Sequence, residues 1–144
     1  ATAASTWQFG NNFALTTTLL PPQLAPGAEL TFQLWWESLA RTSTDYTVFV
    51  HVVNTENNPG GANVAQQDQQ PLAGFAPTRL WEPGLHFRDD YRLTLPADLP
   101  AGKYSVRVGL YTLDGGRLPV LQNEAMIGDF ATLGSFTVAV PGTQ

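Results

Sequence analysis

Residues 91–111 read YRLTLPADLPAGKYSVRVGLY, and the fold is decided in this stretch. Apolar and polar side chains alternate up to Leu95, a corner rich in Pro and Gly spans 96–102, and alternation resumes at Tyr104. Residues two apart share one face of a strand, so Tyr104, Val106, Val108 and Leu110 are expected to point inward. Ser105, Arg107, Gly109 and Tyr111 take the opposite face. On the near side of the corner, Phe87, Asp89, Tyr91, Leu93 and Leu95 share a face over 86–95, with Asp89 breaking it near the strand's entry.

The same period extends outward in both directions. Phe13, Leu15, Thr17 and Leu19 face one way before Pro21-Pro22 ends the run. Over 29–39, Leu30, Phe32, Leu34 and Trp36 oppose Thr31, Gln33, Trp35 and Glu37, which predicts a strand buried on one side with Trp35 outside. The stretch 45–53 (DYTVFVHVV) is β-branched and aromatic almost throughout, as in a central strand covered on both faces. The composition of 54–61 (NTENNPGG) predicts a turn before a short return strand over 63–68. An irregular excursion over 69–84, a hairpin turn at 114–117 (DGGR) and a last strand over 132–140 follow.

No window keeps a helical 3.6-residue rhythm. Seven or eight short strands with turns every eight to twelve residues predict an all-β, immunoglobulin-like antiparallel sandwich, with a jelly roll as the competing architecture. Pro100-Ala101-Gly102-Lys103 before Tyr104 matches a tyrosine corner, in which the hydroxyl bonds back to nearby backbone. The expected organisation is a flexible lead-in over 1–12, one sandwich over 13–140 and a tail over 141–144. The small polar start, without a basic or apolar region, shows no signal peptide.

The chain of 144 residues suits one domain and can bury roughly 70% of its unfolded surface. It has no cysteine, which excludes disulfides, thiolate metal sites and cysteine nucleophiles. Charged residues are 13%, with twelve acidic against seven basic and a net charge of −5. With Lys103 the single lysine, there is no basic footprint for nucleic acid or an anionic membrane surface. No apolar run reaches the ~20 residues of a membrane helix, so no membrane insertion of this chain is expected.

Candidate catalytic sets are sparse. Asp89 and Asp90 are adjacent and point to opposite faces of a strand, so they do not form the carboxylate pair of a glycosidase. There is no Gly-x-Ser-x-Gly elbow for a serine nucleophile, and His51 and His86 lack zinc-ligand spacing. The chain is therefore expected not to be an enzyme and to need no cofactor. Asn54, Glu56, Asn57 and Asn58, or Asp114 with its glycines, offer oxygens to calcium, and turn chemistry accounts for both segments without an ion.

Ligand-contact candidates are His51, which interrupts an apolar strand, and the exposed or loop-borne aromatics Trp35, Phe75, Trp81 and Tyr111. Asp68, Gln66, Gln67, Gln69 and Arg79 are their hydrogen-bonding neighbours. The expected ligand-binding set is Trp81, Asp68, His51, Gln66, Arg79 and Trp35, since the apolar face of a sugar ring stacks on a flat aromatic. Each has a structural counterpart: Trp81 pinning the excursion to the sandwich, and His51 a buried imidazole bonded to backbone or to Asp68.

Read in order, PGAELTFQLWW, DYTVFVHVV, AQQDQQP, PTRLWEPG, YRLTLPADLPAGKYSVRVGLY and GGRLPV resemble the extracytoplasmic C-terminal domain of membrane glycosyltransferases of the dolichyl-phosphate-mannose mannosyltransferase type. The resemblance runs from about Phe13 to Val140. It implies a non-catalytic accessory domain outside the cytoplasm, with a glycan or the parent membrane glycosyltransferase as partner. A free-standing carbohydrate-binding module and a protein-interaction domain of a surface protein are the alternatives. The resemblance carries no functional residue over to this chain.

Overall fold

The computed structural model describes residues 5–17, 20–54, 63–74, 76–112, 114 and 116–139. Among the described residues there are eleven strands: β1 (Ser5–Phe9), β2 (Phe13–Thr17), β3 (Gln23–Leu24), β4 (Glu29–Ser38), β5 (Thr47–Asn54), β6 (Asn63–Gln69), β7 (His86–Thr94), β8 (Gly102–Tyr111), β9 (Val120–Gln122), β10 (Ala125–Gly128) and β11 (Ala131–Val138). A six-stranded sheet has the order β10-β9-β1-β2-β4-β7, and a five-stranded sheet has the order β3-β11-β8-β5-β6. All pairings are antiparallel except β3 with β11. The result is the expected all-β sandwich, two sheets not closed into a barrel, with more strands than the seven or eight anticipated.

Period-two burial builds the core. Leu30, Phe32, Leu34 and Trp36 of β4 face Val48, Val50 and Val52 of β5 and Tyr104, Val106, Val108 and Leu110 of β8 in one apolar cluster. Interdigitating inner faces of this kind hold two sheets about 10 Å apart. The Tyr104 hydroxyl donates to the Pro100 carbonyl at 2.6 Å, so the tyrosine corner is present. Trp81 follows a short 3-10 turn, Thr78–Leu80, and closes one end of the core.

The N-terminal expectation needs correction. Within 1–12, Ser5–Phe9 is not a lead-in but a strand paired with both β2 and β9, and it buries Trp7 and Phe9 in the core. Burial of two large aromatics outweighs the entropy of ordering a short segment. The return strand runs to Gln69 and the last strand begins at Ala131. Most of the turn over 54–61, Phe75 and the tail over 141–144 lie outside the described residues.

Candidate functional site

The outer face of the five-stranded sheet is the side turned away from the core. Strand β5 presents Phe49 and His51 there, two residues apart. Register with β6 sets Asp68 opposite Phe49 and Gln66 opposite His51. Register with β8 sets Gly109 opposite Phe49, Arg107 opposite His51 and Tyr111 opposite Thr47. The chain then turns back on itself. The Thr112 N–H donates to the Gly116 carbonyl at 2.9 Å, the Leu118 N–H to the Leu110 carbonyl at 3.0 Å, and Arg117 bridges to Tyr111.

Phe49 points outward yet is only 2% exposed. Its ring lies over Gly109, whose missing side chain makes the space: a Cβ there would stand 2.2 Å from Phe49 Cε2. The Arg117 guanidinium covers the other side, with Cζ 4.3 Å from the ring centre. The His51 ring packs at 4.6 Å and 33°, and the Tyr111 ring at 6.2 Å. Such cation–π contacts are worth about 0.5–1 kcal/mol at partly exposed sites. Arg117 is steadied by Asp129, Nη1 to Oδ1 at 3.5 Å.

Phe49, His51, Asp68, Tyr111 and Arg117 line a shallow depression of about 220 Å³. The Tyr111 hydroxyl donates to Asp68 Oδ2 at 2.8 Å, which fixes the carboxylate and raises the phenol above its usual pKa. Burial lowers the His51 pKa from 6.5; Asp68 opposes the shift, while Arg117 and Arg107 add to it. The imidazole is therefore neutral at pH 7, with one nitrogen to donate and one to accept. The site thus offers an oriented carboxylate, a guanidinium, a neutral imidazole and a phenol around an aromatic floor.

Of the residues singled out from the sequence, His51, Asp68 and Tyr111 line this depression, and Gln66 sits on the strand beside His51, with its Oε1 accepting from Asn63 at 3.0 Å. His51 is half-buried on the outer face, so it does not bridge the two sheets. Trp81 is corrected as a ligand candidate. It is 3% exposed, packs on Phe13, Trp36 and Phe87, and donates from Nε1 to the Ala76 carbonyl at 2.8 Å. Its ring pins the excursion and presents no face to a sugar. Arg79 stands apart in an ion pair with Asp45 at 2.9 Å. Trp35 is exposed on the other sheet.

Asp89 is buried on the inner face of β7, so it does not join Asp68 in the lining. Asp114 is drawn below its usual pKa by a hydrogen bond from Thr112. Among the described residues no cluster of His, Asp or Glu is arranged to hold a metal ion. Arg117 was missing from the sequence-derived set; the signal for it was the DGGR turn, which returns the chain beside Tyr111. Phe49 was masked by its apolar neighbours, because a ring between valines reads as core. No protein-family model matches the chain, and neither does any curated protein sequence.

Proposed function

We propose that this sandwich is a non-catalytic accessory domain that works outside the cytoplasm, beside a glycosyltransferase-like parent, and recognises a glycan through the depression around His51. The observation that carries the reading is the convergence of Asp68, His51, Tyr111 and Arg117 on one depression. Sugar hydroxyls both donate and accept: a carboxylate takes their protons, a guanidinium gives its own, and aromatic edges cover C–H surface. The lining holds a single carboxylate, where glycoside hydrolysis uses two. The parent and the compartment rest on the sequence resemblance. A free-standing carbohydrate-binding module would use the same site.

The test is calorimetric titration and thermal shift with a panel of soluble mono- and oligosaccharides. A ligand at 100 times its Kd adds about 2.7 kcal/mol of stability. Binding that disappears in Asp68→Asn, with the variant still folded, supports the reading; a flat response across the panel sinks it. One observation favours an interaction domain instead. Met126 and Ile127, 70% and 49% exposed, lie on the edge strand β10, and an uncovered apolar edge suits strand addition by another chain.

A further inference from the structure

On the outer face of the six-stranded sheet, β4 and β7 present polar side chains around one exposed ring, while the apolar Leu121 and Met126 lie apart on β9 and β10. Trp35 is 45% exposed there, whereas Trp7, Trp36 and Trp81 are 4%, 1% and 3% exposed. It is flanked by Thr16 on β2 and Arg88 on β7, directly opposite in register, with the Arg88 Cζ 5.9 Å from the ring centre. The Thr16 hydroxyl is hydrogen-bonded to Thr6 at 3.1 Å. Arg88, beside the ring, pairs with Asp90 at 3.2 Å, and further along the face Arg92 pairs with Glu29 at 3.7 Å.

Two depressions lie on this face, one towards each end of β4. Thr16, Trp35, Glu37 and His86 line one of about 360 Å³. Thr31, Gln33, Asp90 and Arg92 line the other, of about 490 Å³. From Glu37 to Thr31 the strand advances about 20 Å, several times the width of a sugar ring. We infer that this face is a second carbohydrate surface, which takes a neutral oligosaccharide chain laid along β4 across Trp35.

Charge and area decide the occupant. Glu29, Glu37 and Asp90 stand against Arg88 and Arg92, and two of these carboxylates are already paired, so the face complements no strongly charged ligand. A protein partner would need roughly 800 Å² per side with an apolar centre poor in charge. One indole ringed by charged and amide groups does not supply that. A pyranose chain needs one flat ring for its C–H face and a row of donors and acceptors for its hydroxyls. The inference is independent of the His51 depression, which belongs to the opposite sheet.

Because the other three tryptophans are buried, acrylamide quenching of the whole chain's fluorescence reports on Trp35. The probes are cello-, xylo-, manno- and malto-oligosaccharides from disaccharide to hexasaccharide, with calorimetry for the variants. The expected result is protection from quenching by at least one series and an affinity that rises with chain length. Trp35→Ala weakens binding about tenfold or more, and Trp35→Tyr keeps part of it. No protection by any series overturns the inference, as does equal binding by Trp35→Ala. Protection without sugar that grows with protein concentration also overturns it, because a second copy would then be the occupant.

Discussion

Replacing Gly109 by alanine tests how the His51 site is built. The added Cβ would stand 2.2 Å and 2.3 Å from Phe49 Cε2 and Cζ, and 3.0 Å from the Asp129 carbonyl oxygen. Carbon atoms in contact sit about 3.5–4.0 Å apart, so the ring must rise by more than ~1 Å. Arg117 and His51 cover it at 4.3 Å and 4.6 Å, so lifting the ring disturbs the depression itself. Overpacking of this kind costs about 1–3 kcal/mol, offset by about 0.4–1 kcal/mol because alanine stiffens the unfolded chain. The net loss, about 1.3 kcal/mol at mid-range, lowers the thermal midpoint by about 4 °C for a chain of this length, and ligand affinity at the site falls with it. Differential scanning calorimetry of Gly109→Ala, Phe49→Ala and the double variant is the assay. With the ring removed only the 3.0 Å approach to the Asp129 carbonyl remains, so Gly109→Ala should cost much less in the Phe49→Ala background. Gly116→Ala, whose Cβ would meet Thr112 Oγ1 at 3.5 Å, is the local control. An equal loss in both backgrounds, or no loss in either, refutes the seat described for Phe49.

Three further outcomes follow from the same geometry. His51 has a folded-state pKa below its unfolded value of 6.5, so the unfolded chain binds more protons between the two values. Stability should therefore fall as pH drops through 6.5 and stop falling below the folded pKa; urea curves of His51→Gln across that range should lack this component. Trp81→Ala removes a ring buried among Phe13, Trp36 and Phe87 and should cost about 3–5 kcal/mol at an unchanged urea m-value, so a loss below ~1 kcal/mol would return Trp81 to the surface. Tyr104→Phe keeps the ring stacked on Phe136 at 5.7 Å but removes the bond to the Pro100 carbonyl, at about 0.5–1.5 kcal/mol by chemical denaturation.

Strands whose alternation runs for five residues or more were legible in the sequence: β2, β4, β7 and β8 lie where the period placed them, and Trp35 and Trp36 divide between solvent and core as adjacent strand residues must; β5 was legible from its β-branched and aromatic composition, but a second sheet covers only one of its faces, not both. The short strands were not. In β1 only Trp7 and Phe9 alternate before Gly10, too few residues to stand out from a polar start. The β9–β10 hairpin turns through Asn123 and Glu124 at φ +54° and +68°, where glycine is the usual signal, and a glutamate there gives no warning. His51 and Asp68 could be read because they are polar residues in strand contexts, and Tyr111 because the alternation of its strand points it outward. Arg117 could not, since its place beside Phe49 depends on register and on a turn returning the chain.

The burial of Phe49 links the site to stability. Its neighbours in β5, Val48, Val50 and Val52, are buried by the facing sheet, but Phe49 lies on the outer side, where no second sheet covers it. Arg117, His51 and Tyr111 provide that cover, so the side chains available to a ligand also shield an apolar ring from water. A large truncation at Arg117 or His51 would expose Phe49 and lower stability whether or not the residue touches a ligand. Asp68→Asn is the cleaner probe. It keeps the shape and an oxygen to accept from Tyr111, removes the charge, and lets the phenol pKa fall back towards 10. A spectroscopic titration of Tyr111 therefore shows that the substitution reached its target, and any change in saccharide binding can then be assigned to the lost carboxylate charge.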